Sequence, residues 1–515
     1  MKIRSRLGGL KMARAWLVGV AMCATVLAGS AARAAANDDL TARLGDFDAA
    51  VKEGRCEDIL PLVRRITLDA RFAGLKGPAA LKVWAVGAEC AVTTDKADDA
   101  YAYAREATQY PEAPDESWRL RLLLGMFLKH SDDAVDTAAL LSGTHPAVLS
   151  EIDARQYSHF SNELRVSGAA AQRRRLLAAL FAADYQPPNP FDIADYFWLD
   201  YAGMLAADGD HAGTARALGR ISNPYYVALA RMDRRFTTEV AASPDRFNIR
   251  QAAERQLVRD RAAMLAHPDL AKGVTATVED LRFLSRAKEA LTLLDEANAK
   301  LAKPGDSGFS DLEDQANWLV DDRSRVLKDL GRFNESLEAL RQGAQIVESG
   351  RDNVSQVINY AGALVETGKF KEALDQLEPF GATGEKRPVS PVGAMEMTGV
   401  RTCAFVGLGR TADAKAALTY MTTHESEDQN ALTGALLCSN NLDGAEASFI
   451  RRLNDPDARS QAMWTLCDFS DVAPRLPYAT EIDRRWRLVR DRPDVRAAIA
   501  AVGHLETIPL RSDVY

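Results

Sequence analysis

The chain lacks most of what chemistry legible in a sequence requires. Its seven histidines, His130, His145, His159, His211, His267, His424 and His504, never fall in H-E-x-x-H or another ligand spacing, so no metal site is expected. No C-x-x-C, G-x-S-x-G or G-x-x-x-x-G-K-[ST] occurs, which removes the usual signals for redox, α/β-hydrolase and nucleotide chemistry, and no cofactor is expected. Gly407, Gly409 and Ala412 mimic a dinucleotide fingerprint, but the motif needs a preceding strand and sits here at a turn between helical stretches. Strand signals are scarce too. No hairpin dipeptide is flanked by alternating apolar residues, and no long β-branched run occurs. Carboxylate pairs such as Asp132–Asp133 and Asp321–Asp322 exist in a chain with 26% charged residues. They read as solvated helix faces, since acid–base catalysis needs carboxylates converging in a cleft with separated pKa values. A non-catalytic protein is therefore expected.

Long apolar runs are equally rare. The one near the beginning, residues 15–28, follows Lys2, Arg4, Arg6, Lys11 and Arg14 and precedes Ala34, Ala35 and Ala36. A charged start, a short apolar segment and an A-x-A site describe a secretory signal peptide over residues 1–36, cleaved after Ala34 or Ala36. An exported, periplasmic protein without an integral membrane segment is the expectation. Six of the 64 basic residues and none of the 72 acidic ones fall in residues 1–36, leaving 58 against 72, a net charge of −14. Such a balance disfavours bulk nucleic-acid binding.

What is present is repetition. Gly331, Phe333, Glu335 and Leu337 can be laid over Gly368, Phe370, Glu372 and Leu374, 37 residues on. Around the second copy Val357, Tyr360, Ala361 and Leu364 form one helical stripe; Gly368 and Phe370 mark a turn; Ala373, Leu377 and Phe380 form another stripe. Neither helix buries its stripe alone, so stacked hairpins are predicted. Trp84, Ala88, Ala91, Ala100, Ala104, Ala107 and Pro111 give a similar frame, as do Trp198, Tyr201, Ala202, Leu205, Gly209 and Leu218. Weaker copies run through Thr402, Phe405, Gly409, Ala414 and Leu418, and through Val278, Leu281, Ala290, Leu294, Ala297 and Pro304.

The frame resembles the tetratricopeptide repeat (TPR). Arg323 departs from it, standing where a large apolar residue belongs. The resemblance implies an all-α, right-handed α-solenoid of helix hairpins that binds a protein or peptide partner in the groove lined by the first helix (A) of each hairpin. It divides the chain into a degenerate repeat region over residues 37–303, clearer repeats over 309–455 and capping helices with a tail folded on the final layer over 456–515. Residues 303–308, rich in Pro, Gly and Ser, mark the boundary. The family frame places Arg325, Lys328 and Asn359 on the inner face, where they could grip a carboxylate or peptide backbone; Glu396, Gly399 and Cys403 follow on the next A helix. In the same frame Cys56 opens a B helix and Cys90 ends the next A helix, so the two could form a disulfide. Cys438 and Cys467 could pair likewise, leaving Cys403 as a buried thiol, and buried unpaired cysteines throughout are the alternative. Arg484, Arg485, Arg487 and Arg490 around Trp486 could dock an acidic partner or anionic lipid, or pair with Asp483, Asp491 and Asp494. An enzyme acting on envelope polymers, and a lipid or glycan carrier, are the other function classes.

Overall fold

A computed structural model describes residues 31–75, 77–301, 308–348 and 351–511. The expected signal segment lies outside these residues except for 31–36, which begin the first helix. Among the described residues no helix is long and apolar enough to cross a membrane. The described residues form two compact units, divided between Tyr201 and Ala202.

The first unit contains α1 (Ala31–Glu53), α2 (Cys56–Thr67), α3 (Pro78–Thr93), α4 (Ala97–Ala107), α5 (Asp115–Phe127), α6 (Ser131–Thr144), α7 (Ala154–Val166), α8 (Ala170–Ala182) and the start of α9 (Asp195–Ala207). One backbone device makes the hairpins. After α3, Asp95 turns to φ 63° and the N–H of Lys96 reaches back to the Ala91 carbonyl at 2.8 Å. Lys129 after α5 and Gly168 after α7 repeat the move, with His130 bonding Gly125 and Ala169 bonding Leu164, each at 2.8 Å. A left-handed residue followed by this six-residue closure satisfies carbonyls a helix end would leave orphaned and reverses the chain. Ala88 and Ala91 on α3 and Ala100, Ala104 and Ala107 on α4 have no exposed surface, because small side chains let the two backbones approach. The adjacent acids Asp132 and Asp133 do not share a solvated face. Asp133 accepts from Tyr101 at 2.8 Å and Arg121 at 3.1 Å, tying three helices, while Asp132 accepts from Gln172.

The second unit continues with α10 (His211–Leu218), α11 (Pro224–Met232), α12 (Ile249–Ala266), α13 (Ala271–Phe283), α14 (Ala287–Leu301), α15 (Leu312–Asp329), α16 (Phe333–Gly343), α17 (Val354–Glu366) and α18 (Phe370–Leu377). It ends with α19 (Pro391–Gly407), α20 (Thr411–Thr423), α21 (Gln429–Cys438), α22 (Leu442–Asn454), α23 (Arg459–Thr465), α24 (Pro477–Arg490) and α25 (Pro493–Val502). The same turn recurs at Ser285, Gly331, Gly368, Gly409 and Asn440, all with positive φ. The fingerprint-like Gly409 is one of these turns. Ala361, Leu364, Ala373 and Leu377, four of the residues that define the stripes around Gly368, are fully buried in one cluster with Val357, Phe380 and Met397. The fold is thus an all-α solenoid of helix hairpins.

Residues 302–307 lie outside the described ones, and the segments that precede α13 and α15 are hydrogen-bonded to each other. The N–H of Ser310 bonds the Asp269 carbonyl at 2.7 Å, and the Asp311 carboxylate accepts from the N–H of Ala271 at 2.6 Å. Arg323, the departure from the repeat frame, forms an ion pair with Asp295 on α14.

The end of the unit meets its beginning. Trp464 on α23 packs its ring against Tyr225 of α11 at 4.8 Å and Phe283 of α13 at 6.3 Å. Short strands supplement the helices: β1 (Val347–Glu348) pairs antiparallel with β2 (Arg351–Asp352), and β3 (Asp468–Asp471) runs parallel to β4 (Thr507–Arg511). The tail, paired through β4 with β3, also reaches beyond the final layer. The stretch 503–511 returns to the start of the unit: His504 N–H bonds the Met232 carbonyl at 3.0 Å, Arg231 pairs with Glu506 at 2.8 Å, and Arg511 donates to the Asp329 carbonyl at 3.0 Å. Ile508 and Leu510 supply the apolar reason, at 0% and 1% exposure.

Close helix approach has a direct test at Gly407. A Cβ there would sit 2.5 Å from the Phe370 ring, whereas one at Gly434 of α21 would meet nothing within 4 Å. Gly407→Ala should destabilise by about 1–3 kcal/mol through overpacking, and Gly434→Ala should stabilise by up to about 1 kcal/mol through helix propensity. Urea unfolding of both variants checks the pair; equal effects would contradict the packing.

Candidate functional site

The inner face of the second unit carries a cavity of about 640 Å³. Four A helices, α15, α17, α19 and α21, line it together with Phe333, Ser336, Leu337 and Leu340 of α16, and α24 adds Tyr478, Ala479, Ile482 and Asp483. The stripe on α15 follows from helical spacing: Asp321, Arg325 and Lys328 stand four and three residues apart and so share one face.

Arg325, Lys328 and Asn359 are brought together here, as are Glu396, Gly399 and Cys403. None of the first three is idle. Arg325 pairs with Asp321 at 2.7 Å, Asn359 donates to the same carboxylate at 3.0 Å, and Lys328 pairs with Glu366 at 2.9 Å. The reading of Asp321–Asp322 as a solvated face is corrected: Asp321 is only 2% exposed. Its neighbour, half-buried and turned differently on the helix, has its carboxyl pushed up to about 8, first by burial and then by the charge of Glu279. Burial, helped by Asp428, also raises Glu396. The phenol of Tyr478 is pushed up to about 12 by burial, and its hydroxyl has no hydrogen-bond partner.

The cysteines fall out differently from one of the two expected pairings. Cys56, first residue of α2, and Cys90, near the end of α3, form a disulfide with Cα atoms 4.9 Å apart. Cys438 bonds Cys403, not Cys467, with Cα atoms 5.5 Å apart. The reason is position: Cys403 and Cys438 lie late on two packed A helices, both facing the cavity. Cys467 lies beyond α23 with its sulfur 3.1 Å from that of Met232, and burial pushes its thiol up to about 12.

The arginine cluster of α24 serves the fold. Arg484 and Arg485 pair with Glu481, and Arg490 pairs with Asp468 and Asp491. Arg485 also donates to the carbonyls of Leu437 and Cys438 at 3.0 and 2.8 Å, capping α21. Asp483, read as a partner of this cluster, pairs with Arg475.

Sequence reasoning missed α24 as a wall of the groove, and no local signal could have placed it there. Its bonds to α21 join residues 48 and 47 positions apart.

No family model and no curated protein matches this chain. Among solved structures it is similar to the TPR domain of P58(IPK), at 11% identity and a TM-score of 0.17, over 88% of this chain and 100% of that one. It is also similar to Naa15/Naa10 bound to HypK-THB, at 10% identity and a TM-score of 0.22, over 90% of this chain and 96% of that one. Likenesses at these TM-scores bear on neither fold nor function, and the fold rests on the hairpins themselves.

Proposed function

We propose that the protein is a non-catalytic scaffold, exported to the periplasm, that holds a protein or peptide partner against the inner face of residues 202–511. The observation that carries the reading is the cavity shared by four successive A helices, with polar groups of Arg325, Lys328 and Asn359 along one wall and apolar Val400, Leu476 and Ile482 nearby. A few placed polar groups in a mostly apolar concavity are the ordinary composition of a binding site. Because Asp321 and Glu366 already engage the two cations, a partner's carboxylate must compete with them. Support for export comes from the signal-like beginning and from two disulfides, which persist in oxidising compartments.

A photo-crosslinking residue at Asn359 should capture a polypeptide from the exported fraction, and the same residue at exposed Asp375 on α18 should not. Lys328→Ala should reduce the capture at position 359. Crosslinks confined to position 375, or unaffected by Lys328→Ala, would sink the groove. Amino-terminal sequencing of the exported protein tests the compartment, with Ala35 or Asn37 the expected first residue.

One observation favours a second reading, hydrolysis of an envelope polymer. Asp322, raised to about 8, is protonated at neutral pH beside Asp321, which remains paired with Arg325. A carboxyl that burial keeps protonated is what a general acid needs. The reading ranks second because the cavity is lined by Asp321 but not by Asp322 or Glu279. Polymer cleavage by the purified protein that vanishes in Asp322→Asn would reverse the order.

A further inference from the structure

The wall opposite the A helices is the least firmly seated helix of its neighbourhood. Of the fourteen residues of α24 only Val489 is buried, whereas α21 beneath it buries Leu432, Thr433, Ala435, Leu436, Leu437 and Cys438. The flanks of α24 are anchored: β3 is hydrogen-bonded to β4, and α25 buries Val495, Ile499 and Val502. Between β3 and α24 runs an irregular stretch, 472–476, containing Pro474, with Pro477 opening the helix. Two prolines without N–H groups leave little backbone bonding to break there.

What holds α24 down is mostly polar: Arg490 pairs with Asp468 on β3 and Asp483 with Arg475 of the preceding stretch. Arg485 caps the carbonyls of Leu437 and Cys438; Arg492 pairs with Asp443 at 2.7 Å and with Glu446; Tyr478 meets the Phe370 ring at 6.2 Å. Water can replace such bonds on the groups released, so lifting the helix gives up the apolar contacts of Tyr478 and Val489 and costs far less than opening the core.

We propose that α24 is a strap that gates the inner cavity, lifting about the 472–476 stretch to admit a partner segment and reseating when the cavity is empty. This rests on the inner face being the partner's site and adds the regulation of that site.

The molecule carries its own probe of the gate. Cys403 and Cys438 both line the cavity beneath α24, while Cys56–Cys90 lies in the other unit and serves as an internal reference. The folded protein is exposed to tris(2-carboxyethyl)phosphine under native conditions, quenched by alkylation, and both disulfides are followed by peptide mass spectrometry. Arg492→Ala loosens one end of the strap without touching the disulfide. It should speed reduction of Cys403–Cys438 about tenfold, the effect of 1.4 kcal/mol on an opening equilibrium, and leave Cys56–Cys90 unchanged. Arg485→Ala should do the same. Hydrogen exchange of the wild-type protein gives a reading that needs no variant: amides of 477–490 should exchange well before those of 429–438 and 442–454. Acceleration in Arg485→Ala alone, which merely uncaps the Cys438 carbonyl, would overturn the gate. So would equal rates in all three proteins, or protection of α24 equal to that of α21. No partner is present in either measurement, so failure removes the strap and leaves the binding reading to the crosslinking experiment.

Discussion

Trp464→Ala should lower the unfolding free energy of residues 202–511 by about 3–5 kcal/mol, the usual cost of truncating a buried aromatic side chain. The indole is 8% exposed and touches three separate elements: Tyr225 on α11, Phe283 on α13 and Phe469 on β3. No other contact described above brings the last helices of the array onto the first through so large a side chain. Urea unfolding followed separately in the two units, by exchange protection of 78–93 and of 271–283, should show the loss in the second and none in the first. A loss below about 1 kcal/mol would show that the junction is held by the strands and not by the indole.

The second large effect is a gain. Asp280 on α13 is 4% exposed, accepts from Gln256 at 2.7 Å and feels the charge of the Asp260 carboxyl, itself 3% exposed. Burial first, and the Asp260 carboxyl second, hold Asp280 well above the usual carboxylate range. The unfolded chain releases this proton near pH 4, while the folded chain keeps it to a much higher pH. Stability therefore falls as pH rises from about 4 towards the folded pKa, because across that window the native state must hold a proton the unfolded state has shed. Asn has the shape of the protonated acid, can accept from Gln256 and does not ionise. Asp280→Asn should gain about 2–4 kcal/mol at pH 8, at about 1.4 kcal/mol per pKa unit, and nothing near pH 4. Denaturant titrations at the two values decide it, and a gain independent of pH would contradict the protonated Asp280.

The sequence carried the repeat wherever glycine made the turn. Gly331, Gly368 and Gly409 announce a left-handed position, and the stripes on either side of Gly368 are legible by their spacing. Asp95, Lys129, Ser285 and Asn440 adopt the same backbone without glycine, so those turns carry no residue signal, and the frames around Asp95 and Ser285 are legible only by their stripes. Tertiary packing supports these positions where residue type does not. Adjacent acids were read alike, yet successive helical residues point about 100° apart, which is how Asp321 is buried against Arg325 and Asn359 while Asp322 faces Glu279. The candidate site was legible as a face and illegible as a cavity. Arg325, Lys328 and Asn359 could be placed on inner helices by frame alone, but their partners Asp321 and Glu366 and the covering α24 depend on contacts that no local pattern records. The error over Cys438 has the same origin: both candidate partners lie about thirty residues away, and only the return of the chain after α23 takes Cys467 to Met232.

That return sets an order of assembly. Stacked hairpins make almost all their contacts between neighbours and can form as they are synthesised. The second unit cannot finish this way, because Glu506 bonds Arg231, 275 residues earlier, and β4 completes the pair with β3. Until residues 503–511 emerge, the Met232 and Asp329 carbonyls and the guanidinium of Arg231 lack these partners. A ribosome adding about 5–20 residues per second therefore holds the array incomplete for about 14 to 55 seconds after Arg231 appears. A closing segment made this late keeps the unit from locking before its earlier hairpins have stacked.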